Sequence, residues 1–324
     1  MSPATETDVP LGSIIPFMLG AADSGAGRSR IRGRLIRMDA TVGAILGRHA
    51  YPPLVSALLG EALVLAAGLA SLMEYDGIFT LQAKGDAAVR TLLADVTSDG
   101  AVRGYASADT AASVLADKLV DSGPQPARQL LGNGYLAMTV DQGEKGRYQG
   151  IIPLEQADLA GLAQAYFSQS EQIDTAVMLA VMPAQQGWRA GGLLLQRLAA
   201  EGGKTAAAET AARETGAAAS RYMAPDDDPL WHDACVFMAT CTRQELLADA
   251  TAQDGAGLLY RLFHECGISM AEPRPLIDRC RCSPARIHRM LDGLPASERQ
   301  QLADQDGQLV VVCEFCKKKE TVAV

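Results

Sequence analysis

The sequence predicts an α+β protein: an N-terminal domain with a mainly antiparallel sheet and packed helices, a helical linker, and a small C-terminal domain. Between residues 30 and 198, short β-type runs alternate with helical segments. From Ala199 to Arg221 the chain has no Val, Ile, Leu, Met or aromatic side chain. A Cys-x-Cys and a Cys-x-x-Cys motif then fall close to the chain end. We divide the chain into an N-terminal extension (1–29), a core domain (30–198), a linker region (199–277) and a C-terminal domain (278–324).

Apolar periodicity predicts the elements of the core domain in order. The stretch "RIRGRLIRM" (30–38) alternates polar and apolar residues, which is typical of a strand. The apolar stretch "PLVSALLGEALVLAAGLASLM" (53–73) predicts a long helix, and "DLAGLAQAYFSQSEQ" a second one. Seven further runs predict strands, most of them separated by Gly, Asp or Asn as in a meander: "IFTLQAKGD", "VRTLLADV", "AVRGYAS", "YLAMTV", "YQGIIPL", "TAVMLAVM" and "GGLLLQ".

The long apolar helix at 53–73 has the length of a membrane span and a single charge, Glu61. Its small residues, its central carboxylate and the lack of Lys/Arg flanks favour a buried core helix, so we predict no membrane association. The first twenty residues lack the basic and apolar regions of a signal peptide, which predicts a cytoplasmic protein. In a reducing cytosol, clustered cysteines are more often metal-binding or catalytic than structural disulfides.

The linker region begins with an Ala-rich stretch that has helix propensity but no side chain to anchor it to a core. Two better helices follow in "HDACVFMATCTRQELLADA" and "GAGLLYRLFHECGI". Their cysteines, Cys235, Cys241 and Cys266, stand in apolar surroundings, which predicts buried thiols that pack as small hydrophobic side chains.

Charge is unevenly distributed along the chain. The net charge is −9, but residues 279–324 hold eight Lys/Arg and six Asp/Glu, so they carry +2 and the preceding residues −11. The acidic body argues against nucleic acid as a partner. The lightly basic C-terminal domain could dock on that body electrostatically.

The C-terminal domain is too small to hold a core unaided. Ser283 and Pro284 predict a helix start, Pro295 starts a second short helix, and "QLVVVC" predicts a strand. Few large apolar side chains accompany these elements. A tetrahedral four-thiolate site would supply the missing stability, so we predict that one Zn2+ is bound by Cys280, Cys282, Cys313 and Cys316.

Whether that zinc is a static staple or a switch stays open from the residues alone. A disulfide across Cys-x-Cys would close a strained small ring. The surrounding Arg and Lys side chains would offset the −2 charge of a zinc tetrathiolate and hold released thiols as reactive thiolates.

The motif spacing, with "RCRCS" at one end and "CEFC" at the other, resembles the heat-shock protein 33 family of redox-regulated chaperones. The resemblance covers roughly residues 30–320, although the linker here is richer in Ala and Gly than is usual for the family. Further matching stretches are "YPPLVSALLGEALVLAAGLAS", "GIFTLQAKGD", "VRGYA", "LGNGYLAMTV", "GRYQGIIPLE", "YFSQSEQI", "AGGLLLQ" and "LLYRLFHE".

The resemblance implies a protein that is inactive while its four reduced cysteines hold zinc. Peroxide or hypochlorite, aided by heat, would form the disulfides Cys280–Cys282 and Cys313–Cys316 and release the metal. The C-terminal domain and linker would then unfold, and the protein, as a homodimer, would hold unfolding client proteins without ATP or enzymatic activity. The helix from Leu54 to Met73 and the linker are the candidate client-binding segments. Because the linker lacks anchors, it would melt at little cost, which favours the switch.

Two alternatives from other classes remain. Cys313 and Cys316 could serve a thiol–disulfide oxidoreductase, which would require a helix to begin at the motif within a thioredoxin-like pattern. The basic C-terminal domain would also permit a zinc-stapled nucleic-acid-binding protein, whose binding would depend steeply on salt.

Overall fold

The structure, a computed structural model, describes residues 12–20, 30–109, 125–185, 187–198, 228–248, 255–303 and 307–323. The Ala-rich part of the linker and the first eleven residues lie outside this range. The predictions of a melting-prone Ala-rich stretch and of the first part of the N-terminal extension fall on these residues, outside the described range.

A single large sheet runs through the described part of the core domain. Its order is β7-β6-β3-β4-β5-β11-β1-β2-β9-β8, with β10 beside β1, and its pairings are antiparallel except β11 with β5. This confirms the predicted mainly antiparallel α+β fold. The strands are β1 Gly12–Leu19, β2 Arg30–Met38, β3 Ile78–Gly85, β4 Val89–Thr97, β5 Ala101–Ala108, β6 Gly134–Asp141, β7 Arg147–Pro153, β8 Thr175–Ala184, β9 Gly187–Leu198, β10 Ser269–Met270 and β11 Arg274–Asp278.

Helices cover both faces of this sheet. Four lie on one face: α1 Ala40–Gly47, α2 Pro53–Ala70, α3 Ala127–Leu131 and α4 Leu159–Tyr166. On the other face, α5 Pro229–Ala239, α6 Arg243–Leu246, α7 Gly255–Phe263 and the 3-10 turn His264–Cys266 pack on β1, β2, β8 and β9. We call this second group the helical layer.

The long apolar helix α2 is the centre of the first core. Every residue from Leu54 to Ala70 is buried, as the sequence predicted. By length and composition α2 could cross a membrane, but 94 % of its apolar window is buried inside the protein. Its glycines allow this close packing, since a Cβ on Gly60 would lie 2.9 Å from the Val181 side chain.

Residues assigned to the N-terminal extension take part in the sheet. Strand β1 pairs with β2 over eight residues and with β11 on its other side. Its side chains serve both cores, because Ile14 joins the α2 side and Phe17 the helical layer. The expected boundary at residue 30 therefore cuts through the sheet. The last residues of the linker region likewise form β11.

The C-terminal domain has the elements that the sequence predicted and one more. Helices α8 Pro284–Asp292 and α9 Ala296–Leu302 precede β12 Gln308–Val312, which pairs with an unexpected strand, β13 Lys319–Ala323. Among its described residues, the buried hydrophobic side chains are Leu291 and Leu309. So small a core agrees with the need for an additional source of stability, such as a bound metal.

Candidate metal centre

Two tight loops carry the four cysteines of the C-terminal domain. The first knuckle, Cys280 to Cys282, connects β11 to α8, and the second, Cys313 to Cys316, connects β12 to β13. We use the word knuckle for these two loops throughout.

The first knuckle is fixed by the start of α8. The Ser283 side chain caps this helix by accepting a hydrogen bond from the Arg286 backbone N–H at 3.3 Å, and Pro284 occupies the first helical position. The Arg286 guanidinium reaches back and donates to the Arg281 carbonyl at 3.2 Å. These contacts hold the backbone next to both cysteines in a fixed position relative to α8.

The second knuckle is a turn closed by backbone hydrogen bonds. The Lys317 N–H donates to the Cys313 carbonyl at 2.8 Å, and the Cys313 N–H donates to the Lys318 carbonyl at 2.9 Å. Lys317 has a left-handed backbone with φ 56°, which is uncommon for a residue other than Gly. β12 and β13 hold this turn between them, so the unexpected strand supports the second cysteine pair.

The four sulfur atoms converge on one point. All lie within 4.8 Å of one another, with 3.7 Å between Cys280 and Cys313 and 3.3 Å between Cys282 and Cys316. Tetrahedral zinc with Zn–S bonds of about 2.3 Å requires sulfurs separated by about 3.8 Å. The donor set and spacing therefore fit a four-thiolate metal site. His288, on the surface of α8, is exposed and does not belong to this group.

The thiols are not equivalent before a metal binds. Burial alone would raise the pKa of Cys280, but hydrogen bonds from Cys282, Arg103 and Cys313 lower it to about 7. Burial raises the pKa of both Cys282 and Cys316, and hydrogen bonds with the neighbouring thiols raise that of Cys282 further. Metal binding requires thiolates, and Cys280 is the group best prepared to supply one.

The residues between the cysteines attach both knuckles to the core domain. In the second knuckle, the Phe315 ring lies edge-on to Tyr105, with ring centroids 5.1 Å apart, and 3.8 Å below the Arg103 guanidinium. The Phe315 carbonyl is 3.2 Å from His49 Nε2. Burial lowers the pKa of His49, so the neutral ring donates this bond. The His49 ring stacks on Tyr51 at 4.6 Å.

In the first knuckle, Arg281 reaches the buried carboxylate of Asp95. Arg281 Nη2 donates to Asp95 Oδ2 at 2.5 Å, and Arg103 donates to the same oxygen from Nε at 2.9 Å and Nη2 at 2.7 Å. The Thr80 hydroxyl donates to the other oxygen at 2.6 Å. Arg103 Nη1 also lies 3.9 Å from Cys280 Sγ. We call Asp95, Arg103, Tyr105 and His49 together the seat.

Two ion pairs flank the seat at the end of β11. Arg48 pairs with Asp278, and Arg279 pairs with Asp99. Arg279 and Arg281 thus pair with acidic groups of the core domain, as the charge distribution allowed, whereas the Arg48–Asp278 pair has its basic member in the core domain. Sequence analysis did not point to His49, Asp95 or Arg103; the one available signal was the excess of basic residues around the cysteines.

Known proteins resemble this chain over nearly its full length. A family model described as "Hsp33 protein" matches residues 24–322. A 33 kDa chaperonin of Caulobacter vibrioides is 37 % identical over 294 residues, covering 89 % of each protein. A 33 kDa chaperonin of Pseudomonas aeruginosa is 34 % identical over 290 residues, covering 89 % of this chain and 86 % of that protein. The solved structure of the 33 kDa chaperonin (heat shock protein 33 homolog) from Thermotoga maritima aligns with a TM-score of 0.68 at 21 % identity, covering 95 % and 94 % of the two chains.

Proposed function

Because the chain belongs to the Hsp33 family of chaperones, we propose that it is a redox-regulated, ATP-independent holdase of the cytoplasm, not an enzyme. The convergence of four cysteine sulfurs within 4.8 Å is the observation that carries this proposal. In the reduced protein, Cys280, Cys282, Cys313 and Cys316 would hold one Zn2+. The metal would supply the free energy that two buried leucines cannot, on the order of 10–16 kcal/mol in small zinc modules.

Activation would be an oxidation of the four sulfurs. Each of the pairs Cys280–Cys282 and Cys313–Cys316 gives two electrons to one peroxide molecule, whose O–O bond breaks to leave two hydroxide ions as the S–S bond forms. A disulfide is about 2.05 Å long and carries no charge, so the four sulfurs can no longer hold a dication. The sulfurs must also approach each other, which displaces the residues between them.

That displacement would undock the C-terminal domain, because Arg281 and Phe315, which contact the seat, lie between the cysteines. Once they leave the seat, β11 keeps three residue pairs with β1 and two with β5. The chain connects the helical layer through β10 and β11 to the first knuckle. Loosening of β11 would therefore reach the helical layer.

Opening of the helical layer would expose the apolar face of the sheet beneath it. That face presents Phe17, Leu35 and Leu193, each at most 2 % exposed in the closed protein. It is a better candidate for client binding than α2, whose residues form the interior of the first core. Unfolded proteins are the expected clients, and dimerisation would accompany activation.

The two alternatives have less support. A thiol–disulfide oxidoreductase needs its motif at a helix N-terminus, whereas the second knuckle leads into β13. For a nucleic-acid-binding protein, the basic side chains of the first knuckle would have to face outward, yet Arg281 is paired with Asp95.

The test follows zinc release and client aggregation in the same samples, with the intact protein treated with peroxide at raised temperature. We expect zinc to leave as protection against aggregation of a chemically unfolded client appears, without ATP. If zinc is retained, or is lost with no gain in protection, the site is a structural zinc site and the proposed redox switch is wrong. A variant with all four cysteines replaced by Ser cannot hold zinc, so its client protection should be the same with and without peroxide.

A further inference from the structure

Cysteine is confined to the part of the chain that the proposed activation would move. All seven cysteines follow residue 234, and none lies in the strands β1 to β9. Four of them form the metal centre. The remaining three, Cys235, Cys241 and Cys266, have no part in the mechanism above.

These three thiols lie in the contact between the helical layer and the sheet. Cys235 is on the inward face of α5, Cys241 follows that helix, and Cys266 ends the 3-10 turn after α7. Their exposed fractions are 4 %, 6 % and 6 %. All belong to the cluster that includes Phe17 and Leu193 of the sheet. A change that lifts the helical layer off the sheet necessarily exposes them.

In the closed protein these thiols are protected in two ways. They are inaccessible, and burial raises the pKa of Cys235 to about 12 and the pKa of Cys241 and of Cys266 to about 11. Asp174, Glu245 and Asp233 add to these shifts. An exposed cysteine has a pKa of about 8.5, so opening would raise the reactive thiolate fraction roughly 300- to 3,000-fold.

We propose that Cys235, Cys241 and Cys266 are cryptic modification sites that accept a low-molecular-weight thiol when the helical layer opens, and that the adduct keeps the layer open. This inference rests on the proposed function, because the opening is the step that exposes the thiols. It adds a second set of redox thiols that reacts after the metal centre.

The chemistry uses the peroxide that activates the protein. The thiolate attacks one peroxide oxygen, the O–O bond breaks, and a sulfenic acid forms with release of hydroxide. A small thiol then attacks the sulfenic sulfur, its proton leaves with the departing hydroxyl as water, and a mixed disulfide remains. One peroxide molecule thus accepts the two electrons of each new S–S bond.

Such an adduct cannot return to the closed position. The three sites are at most 6 % exposed and are packed on the sheet. A tripeptide-sized charged group has no room there, and burying its charges without partners is unfavourable. The modified protein would stay open after peroxide has gone, until the adduct is reduced. The second set of thiols would prolong the active state.

The test oxidises the intact protein with peroxide at raised temperature, with and without reduced glutathione. Zinc release, client protection and the modified cysteines, identified by peptide mass spectrometry, are measured together. We expect glutathione adducts at the three sites after zinc release and none in the reduced, zinc-bound protein. Returned to mildly reducing buffer with zinc, the glutathione-treated protein should keep client protection for as long as mass spectrometry detects the adducts, several-fold longer than the protein oxidised without glutathione.

Variants separate the inference from the proposed function. The triple variant Cys235→Ala/Cys241→Ala/Cys266→Ala should activate normally but reclose at one rate whether or not glutathione was present. The three single Ala variants, each lacking one adduct, serve if the triple variant does not fold. Phe263→Ala, which removes a ring stacked at 5.5 Å on Phe17, should expose the three thiols to an alkylating agent while zinc is still bound.

Each result distinguishes the two ideas. Zinc release with client protection but unmodified Cys235, Cys241 and Cys266 would overturn the inference and leave the proposed function intact. Adducts that form equally fast in the reduced protein, or disulfides among the three cysteines instead of adducts, would also overturn it. Zinc release without protection would overturn the proposed function, and the alkylation of Phe263→Ala would still test the burial of the thiols.

Discussion

Phe315 is the side chain whose removal should separate docking from metal binding. Its ring makes an aromatic contact with Tyr105 and a cation–π contact with Arg103. An aromatic pair is worth about 0.5–1.5 kcal/mol and a cation–π contact about 0.5–2 kcal/mol. Phe315→Ala should therefore weaken docking by about 1–3.5 kcal/mol, which is roughly 5- to 400-fold in the docking equilibrium. The four sulfur ligands are unchanged.

Weaker docking should accelerate oxidation, because disulfide formation has to move Phe315 and Arg281 off the seat. The assay is the rate of zinc release at fixed peroxide and temperature, read with a chromophoric chelator. We expect Phe315→Ala to release zinc faster by up to the same factor, while the reduced variant still binds one zinc. Tyr105→Leu removes the aromatic contact from the core side but leaves the cation–π contact with Arg103, so it should accelerate zinc release by a smaller factor.

Val310→Ala is the matched control, since it deletes apolar surface from β12 at a side chain that is 53 % exposed and outside the seat. Its zinc release should equal that of the wild type. The reasoning is refuted if Phe315→Ala and Tyr105→Leu both release zinc at the wild-type rate. Docking would then have no effect on the rate of oxidation, and the oxidation threshold would be set inside the C-terminal domain alone.

Three further predictions follow from the same contacts. Asp95→Asn leaves Arg103 and Arg281 without their buried carboxylate, so thermal unfolding should show a loss of about 3–5 kcal/mol; an unchanged melting temperature would contradict this. Burial raises the pKa of Glu61 to about 8 in the folded protein, whereas the pKa of a Glu side chain in the unfolded chain is about 4.3. Between these two pH values the folded state keeps a proton that the unfolded state loses. Stability should thus fall as pH rises through that window, by up to about 1.4 kcal/mol per pH unit, and Glu61→Gln should flatten this dependence in urea unfolding at pH 5.5 and 7.5. Deleting residues 319–324 removes five cross-strand pairs with β12, about 1–5 kcal/mol in total, and should speed zinc loss to a chelator; equal rates would show that β13 is dispensable.

Local sequence signals were enough for much of the fold. Hydrophobic alternation placed the strands from β2 to β9, and the length of the apolar run placed α2. Both signals depend on neighbouring residues, which is why they can be read from one chain. Strand β13 was not predicted, because "KKKETVAV" begins with three lysines and its partner β12 lies across a turn. Strand β1 was not predicted either, since residues 20–29 separate it from β2, and this is longer than the roughly two to five residues of a typical hairpin loop.

The candidate site likewise has one part that local sequence signals predict and one part that depends on long-range contacts. Cysteine spacing predicted which four side chains meet, because metal ligands come from short motifs of fixed geometry. The seat could not be predicted, because Asp95 and Arg281 are 186 residues apart and nothing in either local sequence refers to the other. The docked state also carries a cost that no motif reveals: within the described residues, Arg281 Nε and Nη1 are buried without a hydrogen-bond partner. A buried guanidinium left partly unsatisfied weakens the contact it makes. Under the proposed mechanism, the seat would hold the C-terminal domain against the core in the reduced protein, and an oxidation that moves two sulfurs by a few ångströms would release it.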